Sequence, residues 1–200
     1  MFLGFFIVSF SNSLVYEKTA HNTTWKLVFY HNSAKGGYFS SHSEAAKSNT
    51  DYKYSIIGEI DEKYKINGAF EFLLEYPTLT GYNRWKQSIS PILNQEVLGQ
   101  AAIGYSPVSL TWSDSCWGGM VKSNDAQYTL LDGASKCGPE YWWYCIGALN
   151  DYLRPNFPGP SGISVPEAYL WVRIDKPQWT ITRRDMSKLV PVIVLSFLIM

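Results

Sequence analysis

The chain has no excess of either charge: seventeen Lys and Arg are matched by seventeen Asp and Glu, for a formal net charge of zero. No basic run interleaves with aromatic residues, so the electrostatic footprint of a nucleic-acid binder is missing. Neither a Gly-x-Ser-x-Gly elbow nor a phosphate-cradling glycine loop occurs, which removes two common enzyme signatures. Histidine is scarce. His21, His31 and His42 all lie in the first quarter, and their spacing fits no zinc-binding pattern. The stretch Asp61 to Gly68 puts Lys63 and Lys65 where an EF-hand loop needs oxygen ligands. No segment sustains a 3.6-residue apolar period and no internal repeat is present, so long amphipathic helices are not expected. The chain therefore reads as a non-enzyme with no catalytic residues.

Long apolar runs are also lacking, except at the two ends. Phe2 to Phe10 is one apolar run of nine residues. It suits the hydrophobic region of a secretory signal peptide and falls short of the roughly 20 residues of a membrane span. Ser11 and Ser13 supply the small residues of a cleavage site, so residues 1–13 are expected to be a signal peptide. Arg183, Arg184 and Lys188 lead into a twelve-residue apolar tail, Leu189 to Met200, interrupted by Pro191. As a helix this tail would reach about 18 Å, against a bilayer core of about 30 Å. Residues 183–200 are read as a GPI-attachment signal or a membrane anchor, with a docked strand as the alternative. Residues 14–182 remain as one domain, long enough to bury a core. That domain is expected to be secreted or to face outward from the plasma membrane.

Cysteine is limited to Cys116, Cys137 and Cys145. Export permits a disulfide. Cys137 and Cys145 flank a Gly-Pro turn and are the natural pair, which leaves Cys116 as a buried thiol or an intermolecular partner. Pairing of Cys116 with either of the others stays open. Asn22-Thr23-Thr24 is a glycosylation sequon and expects a surface position for Asn22.

What the chain has in abundance is aromatic residues: eight Trp, fourteen Tyr and ten Phe. Aromatic and β-branched residues favour strands, and Trp and Tyr also favour binding surfaces. Strands are expected over Trp25 to His31, Tyr54 to Ile60, Ala101 to Tyr105, Val108 to Trp112 and Tyr128 to Leu131, the last ending in an Asp132-Gly133 turn. The clearest alternation is Ala69 to Tyr76. Phe70, Phe72, Leu74 and Tyr76 share one face, and Glu71, Leu73 and Glu75 share the other, as in a half-buried strand with a charged outer side. Pro77 ends it. A last strand, Ala168 to Ile174, sets Ala168, Leu170, Val172 and Ile174 against Tyr169, Trp171, Arg173 and Asp175. Residues 78–100 and 113–127 read as loops, Arg154 to Pro166 as a proline-rich loop, and Ser43 to Lys47 as a short helix. The fold class is mainly β, α+β at most: antiparallel sheets in a sandwich-like or fibrinogen-like single domain with long loops.

The local feature with most chemical content is Cys137-Gly-Pro-Glu-Tyr-Trp-Trp-Tyr-Cys145. A covalent loop here would hold Tyr141, Trp142, Trp143 and Tyr144 rigid, so that little entropy is lost when a sugar or peptide stacks on them. The same rings serve equally well as core around a structural disulfide. Trp112, Asp114 and Trp117, on the preceding loop, are further ligand candidates. Asp125 and Asp132 lie near other oxygen donors and are the candidate calcium ligands, against the plainer reading of two Asx turns. Glu71, Glu75 and Asp114 could supply the carboxylate pair of a glycoside hydrolase, whose chemistry depends on their separation.

Two stretches resemble fibrinogen C-terminal-like domains, the group that includes ficolin-type and intelectin-like lectins. Trp25-Lys-Leu-Val-Phe-Tyr30 is similar to the Trp-Thr-Leu-Val-Phe opening of such domains. Cys137 to Asp151, with Trp142-Trp143 before the second cysteine and Ala148-Leu-Asn150 after it, resembles their Cys…Trp-Trp…Cys…Asn-Leu-Asn signature. Together they cover about a tenth of the chain. The family's Asp-x-Asp calcium loop is absent, so calcium dependence does not carry over. The resemblance implies a pocket beside the Cys137–Cys145 loop that recognises glycans or peptide ends. The function expected is lectin-like recognition at the cell surface. A structural or adhesive protein making protein contacts is the alternative, and a carboxylate-based hydrolase the third.

Overall fold

A computed structural model describes residues 14–35, 39, 41–93, 100–112, 116–122, 129–135, 145–148, 159–160, 163 and 165–174. The fold is mainly β, as the composition implied. Among the described residues, eleven strands and one short α-helix follow in chain order: β1 (Glu17–Ala20), β2 (Thr23–Asn32), α1 (His42–Ala46), β3 (Ser48–Asn49), β4 (Lys53–Ser55), β5 (Phe70–Glu75), β6 (Asn83–Gln87), β7 (Ser106–Leu110), β8 (Trp117–Lys122), β9 (Thr129–Ser135), β10 (Cys145–Ala148) and β11 (Glu167–Ile174). The larger sheet has the order β3-β4-β2-β11-β5-β6-β7, with β1 also paired to β2. The smaller sheet is β10-β9-β8. All pairings are antiparallel.

The larger sheet carries aromatic and aliphatic side chains on both faces. Phe70, Phe72, Leu74 and Tyr76 fall on one face of β5, and Ala168, Leu170 and Val172 on the same face of β11. They form the main core with Trp85 from β6 and with Trp117, Met120 and Leu131 from the smaller sheet. Each such side chain removed from water contributes about 1.5–3 kcal/mol before the entropy of ordering it. The opposite face gathers Trp25, Leu27, Tyr30, Tyr54, Leu73 and Trp171 into a second cluster. A register shift between β2 and β11 at Leu170/Trp171 accommodates Val28 and Phe29, which both join the main core.

The charged face expected of β5 is not a solvated one. Glu71 is 2% exposed. It accepts hydrogen bonds from Arg84 Nε at 2.6 Å and from Arg173 Nη1 at 2.9 Å. Burial alone pushes the Glu71 carboxyl up, but the hydrogen bonds and charges of Arg173 and Arg84 outweigh it and hold the group below the usual carboxylate range. Glu71 and Glu75 are four residues apart on an extended strand, about 13 Å along the chain. That is outside the roughly 5–9.5 Å of a glycosidase pair, so these two residues do not form one.

Several local expectations are corrected. The strand at Tyr54 ends at Ser55 and gives way to a turn over Ile57–Glu59. There Gly58 lies so near the helix that a Cβ would sit 2.9 Å from the Ala46 carbonyl oxygen. Residues 101–105 form a turn rather than a strand, closed by the Tyr105 N–H to Ala102 O bond. Asp132-Gly133 is not a turn, because β9 runs through it. Asp132 pairs with Val121 on one side and Cys145 on the other. Strands β6 and β8 arise in segments read as loops. The helix near Ser43 is present, with Ser41 Oγ accepting from the Glu44 N–H as an N-cap.

The β1–β2 hairpin closes on His21 and Asn22, with φ of 52° and 57°. Two consecutive left-handed residues match the sheet's twist in a two-residue turn. Asn tolerates this conformation better than other side chains with a Cβ. Asn22→Ala is therefore expected to destabilise the domain by about 1 kcal/mol, and Asn22→Gly to leave it unchanged or improve it. Chemical denaturation midpoints of unglycosylated protein check both.

Candidate functional site

Period two along β11 places Tyr169 and Trp171 on the face opposite the main core. Antiparallel register then sets Tyr169 opposite Glu75 and Trp171 opposite Leu73 on β5. Beyond Glu75, Pro77 ends the strand. The chain turns through a Leu79 N–H to Tyr76 O bond of 2.8 Å and comes back as β6. A cleft of about 320 Å³ opens between this turn and β11. Tyr169, Trp171 and Glu75 make one wall; Tyr76, Pro77, Leu79 and Gly81 make the other. Gly81 has φ of 111°, and a Cβ there would meet the Thr111 side chain at 2.4 Å. Glycine is thus the residue that lets the turn close against Thr111, just past the end of β7.

The Tyr169 and Trp171 rings lie 5.9 Å apart and within 8° of parallel. Trp171 is 4% exposed, and its buried indole Nε1 has no hydrogen-bond partner among the described residues. An unpaired buried donor costs about 1–3 kcal/mol. Lys18, from β1, reaches over this face: its Nζ is 4.2 Å from the Trp171 ring centroid and ion-pairs with Glu75. Burial pushes the Tyr169 hydroxyl well above the usual phenol range, reinforced by the negative charge of Glu167 and by Tyr30. It therefore stays protonated and hydrogen-bonding at neutral pH. The wall thus combines two ring faces, a carboxylate and a phenol, and the Lys18 ammonium touches two of its members, Trp171 and Glu75.

The residues singled out in the sequence fall in different places. Trp112 is half-buried beside the cleft, its ring 5.0 Å from that of Tyr76. Asn83 fixes its backbone, donating to Trp112 O at 2.8 Å and accepting from Trp112 N–H at 2.9 Å. Trp117 is a correction. It is 1% exposed and packs edge-on against Trp85 at 5.1 Å, so it belongs to the core between the sheets rather than to an open loop. Cys116 lies half-buried immediately before β8. Asn22 is exposed at the hairpin tip, a position open to modification. Tyr141, Trp142, Trp143, Tyr144, Asp114, Asp125 and Cys137 lie outside the described residues, as do residues 1–13 and 183–200 and the side chains of Asp132 and Cys145.

Among the described residues, no three His, Cys, Asp or Glu side chains converge as a metal site. No helix among them is long and apolar enough to cross a membrane. Comparison with family models, with curated proteins and with solved structures finds no match.

The cleft was missed in the sequence because its parts are remote from one another. Tyr169 and Trp171 read correctly as a face of the last strand. Nothing local signals that the 76–81 turn folds beside them, some ninety residues earlier in the chain.

Proposed function

We propose that this is a lectin-like recognition domain of an exported protein, and that its ligand, a glycan, binds in the cleft beside Trp171. The observation that carries this reading is the near-parallel Tyr169 and Trp171 pair on the wall of a cleft that also holds Glu75. Sugar rings present an apolar face of C–H groups and an edge of hydroxyls. The first suits a rigid aromatic wall, and the second suits a carboxylate and the protonated Tyr169 hydroxyl. The volume supports the reading too, since small-ligand clefts begin at about 300 Å³. The fibrinogen-like resemblance points to the same class of ligand, with the 141–144 aromatic loop as a second contact. An indole donor with no partner among the described residues is a further support, because a ligand oxygen that reached it would relieve its cost.

The test is a panel of immobilised glycans probed with the wild type, Trp171→Phe and Glu75→Gln. Trp171→Phe keeps an aromatic ring in place and removes the indole N–H. Binding to at least one glycan is expected, weakened roughly tenfold by either substitution, as for loss of one or two ligand hydrogen bonds. Glycan binding that is unaltered in both variants would contradict the placement. Absence of binding to the whole panel would contradict the ligand class.

The adhesive alternative is favoured by a different observation. Strand β7 is the outermost on its side of the larger sheet among the described residues, with Val108 45% exposed. An edge strand of this kind can pair with another chain. Self-association in sedimentation that persists in Trp171→Phe and is abolished in Val108→Lys would favour that reading.

A further inference from the structure

Recognition of a neutral sugar gives Lys18 no part. Lys18 sits on β1 opposite Trp25 and crosses the second face of the sheet to reach Glu75 on β5. The side chains of Lys18 and Glu75 are 23% and 27% exposed, so the pair is largely withdrawn from water. Its ammonium stands over the Trp171 ring, with the Glu75 carboxylate beside it. A cation on an indole face with a carboxylate as counter-ion is the chemistry by which aromatic sites hold ammonium ligands. Two other partly buried cations on this face, Arg84 over Trp25 at 5.2 Å and Arg173, are both committed to Glu71.

We propose that the Trp171–Glu75 edge of the cleft is an ammonium-recognition site, held in this structure by the Lys18 ammonium and vacated when a ligand brings its own ammonium to Trp171 and Glu75. This rests on the reading of the cleft as the recognition site and names the ligand class, a sugar bearing a free amine. Exchange of one ammonium for another leaves the charge of the cleft unchanged, so Glu75 is never left buried without a counter-ion. The displaced Lys18 head group moves to water on its flexible stem. Lys18 thereby sets a threshold: a ligand must outcompete a group tethered beside the site, whereas neutral ligands would have to leave Lys18 in place or break its ion pair without replacing it.

The experiment uses the full chain with indole N–H signals read by NMR, Trp171 being assigned by its loss in Trp171→Phe. Wild type and Lys18→Gln are titrated with glucosamine, with choline, with N-acetylglucosamine as the uncharged counterpart, and with potassium chloride at matched ionic strength. The Trp171 signal is expected to move saturably with glucosamine in Lys18→Gln, and at roughly tenfold higher concentration in the wild type, the cost of removing a cation–π contact and an ion pair. Glu75→Gln should weaken the response several-fold. Movement with choline alone would reassign the ammonium to a quaternary headgroup and overturn the sugar. No movement with either ammonium probe, or equal movement with potassium, overturns the site altogether. Should Lys18→Gln melt well below the wild type, the wild-type titration decides in the same way. A neutral glycan that shifts Trp171 when ammonium probes do not would sink this inference and leave the recognition reading standing.

Discussion

Glu71→Ala is expected to destabilise the domain by about 3–5 kcal/mol, the cost of removing one partner from a buried charge cluster. Its carboxylate is 3% exposed and bridges Arg84 on β6 and Arg173 on β11, the two strands that flank β5. Without it, two guanidinium groups face each other across β5 and lose the carboxylate they share. In a domain of this size the melting temperature should fall by roughly 6–20 °C. Glu71→Gln keeps the shape and one acceptor and should cost less, which separates charge from packing. The pH dependence follows from the direction of the shift. The folded carboxyl lies below its ordinary value, so its contribution is fully present above the unfolded value of about 4.3 and is lost as pH falls through the lower folded value. Wild type should therefore lose stability more steeply than Glu71→Gln below about pH 4. Thermal melts of both proteins across that range measure it.

Gln87→Leu is expected to cost about as much, roughly 4–6 kcal/mol, through four stranded partners at the lower end of the 1–3 kcal/mol for each buried group left unpaired. Gln87 is fully buried. Its Oε1 accepts from Trp85 Nε1–H at 2.8 Å and from the Met120 N–H at 3.0 Å. Its Nε2 donates to the carbonyls of Ile89 at 2.8 Å and Met120 at 2.9 Å. All four hydrogen-bonding capacities of the amide are thereby used, and two of the bonds tie β6 of the larger sheet to β8 of the smaller. Gly119 completes the joint: with φ of 95°, it lets β8 approach so closely that a Cβ would stand 2.9 Å from Gln87 Oε1. Denaturant unfolding of Gln87→Leu is the measurement. A change below about 1 kcal/mol would mean that the amide is not the tie between the sheets.

These two residues also mark where sequence reading stopped. Phe70 to Tyr76 and Ala168 to Ile174 declared themselves, because strict alternation of apolar side chains is a signal contained within one segment. Strand β6 did not, since two of its three buried positions are the amides of Asn83 and Gln87, which read as loop residues until their partners are known. Strand β8 hid behind Gly118 and Gly119, where the glycines serve a register shift against β9 rather than a turn. Glu71 looked like a solvated charge because its neutralising arginines come from strands thirteen and 102 residues away in sequence. The cleft shares that property. Its aromatic wall was legible as a strand face, but the turn opposite it and the lysine over it are tertiary facts. Trp117 erred in the other direction: an aromatic in a polar, glycine-bearing segment suggested a surface, and the approach of the two sheets buries it instead.

The most direct test of the account follows the indole N–H signals while the best ligand from the glycan panel is titrated into the full chain. The expected result is a saturable shift of the Trp171 signal, with the core indoles of Trp85 and Trp117 unmoved. A shift confined to Trp142 and Trp143, with Trp171 unchanged at saturation, would contradict it and return recognition to the cysteine-flanked loop.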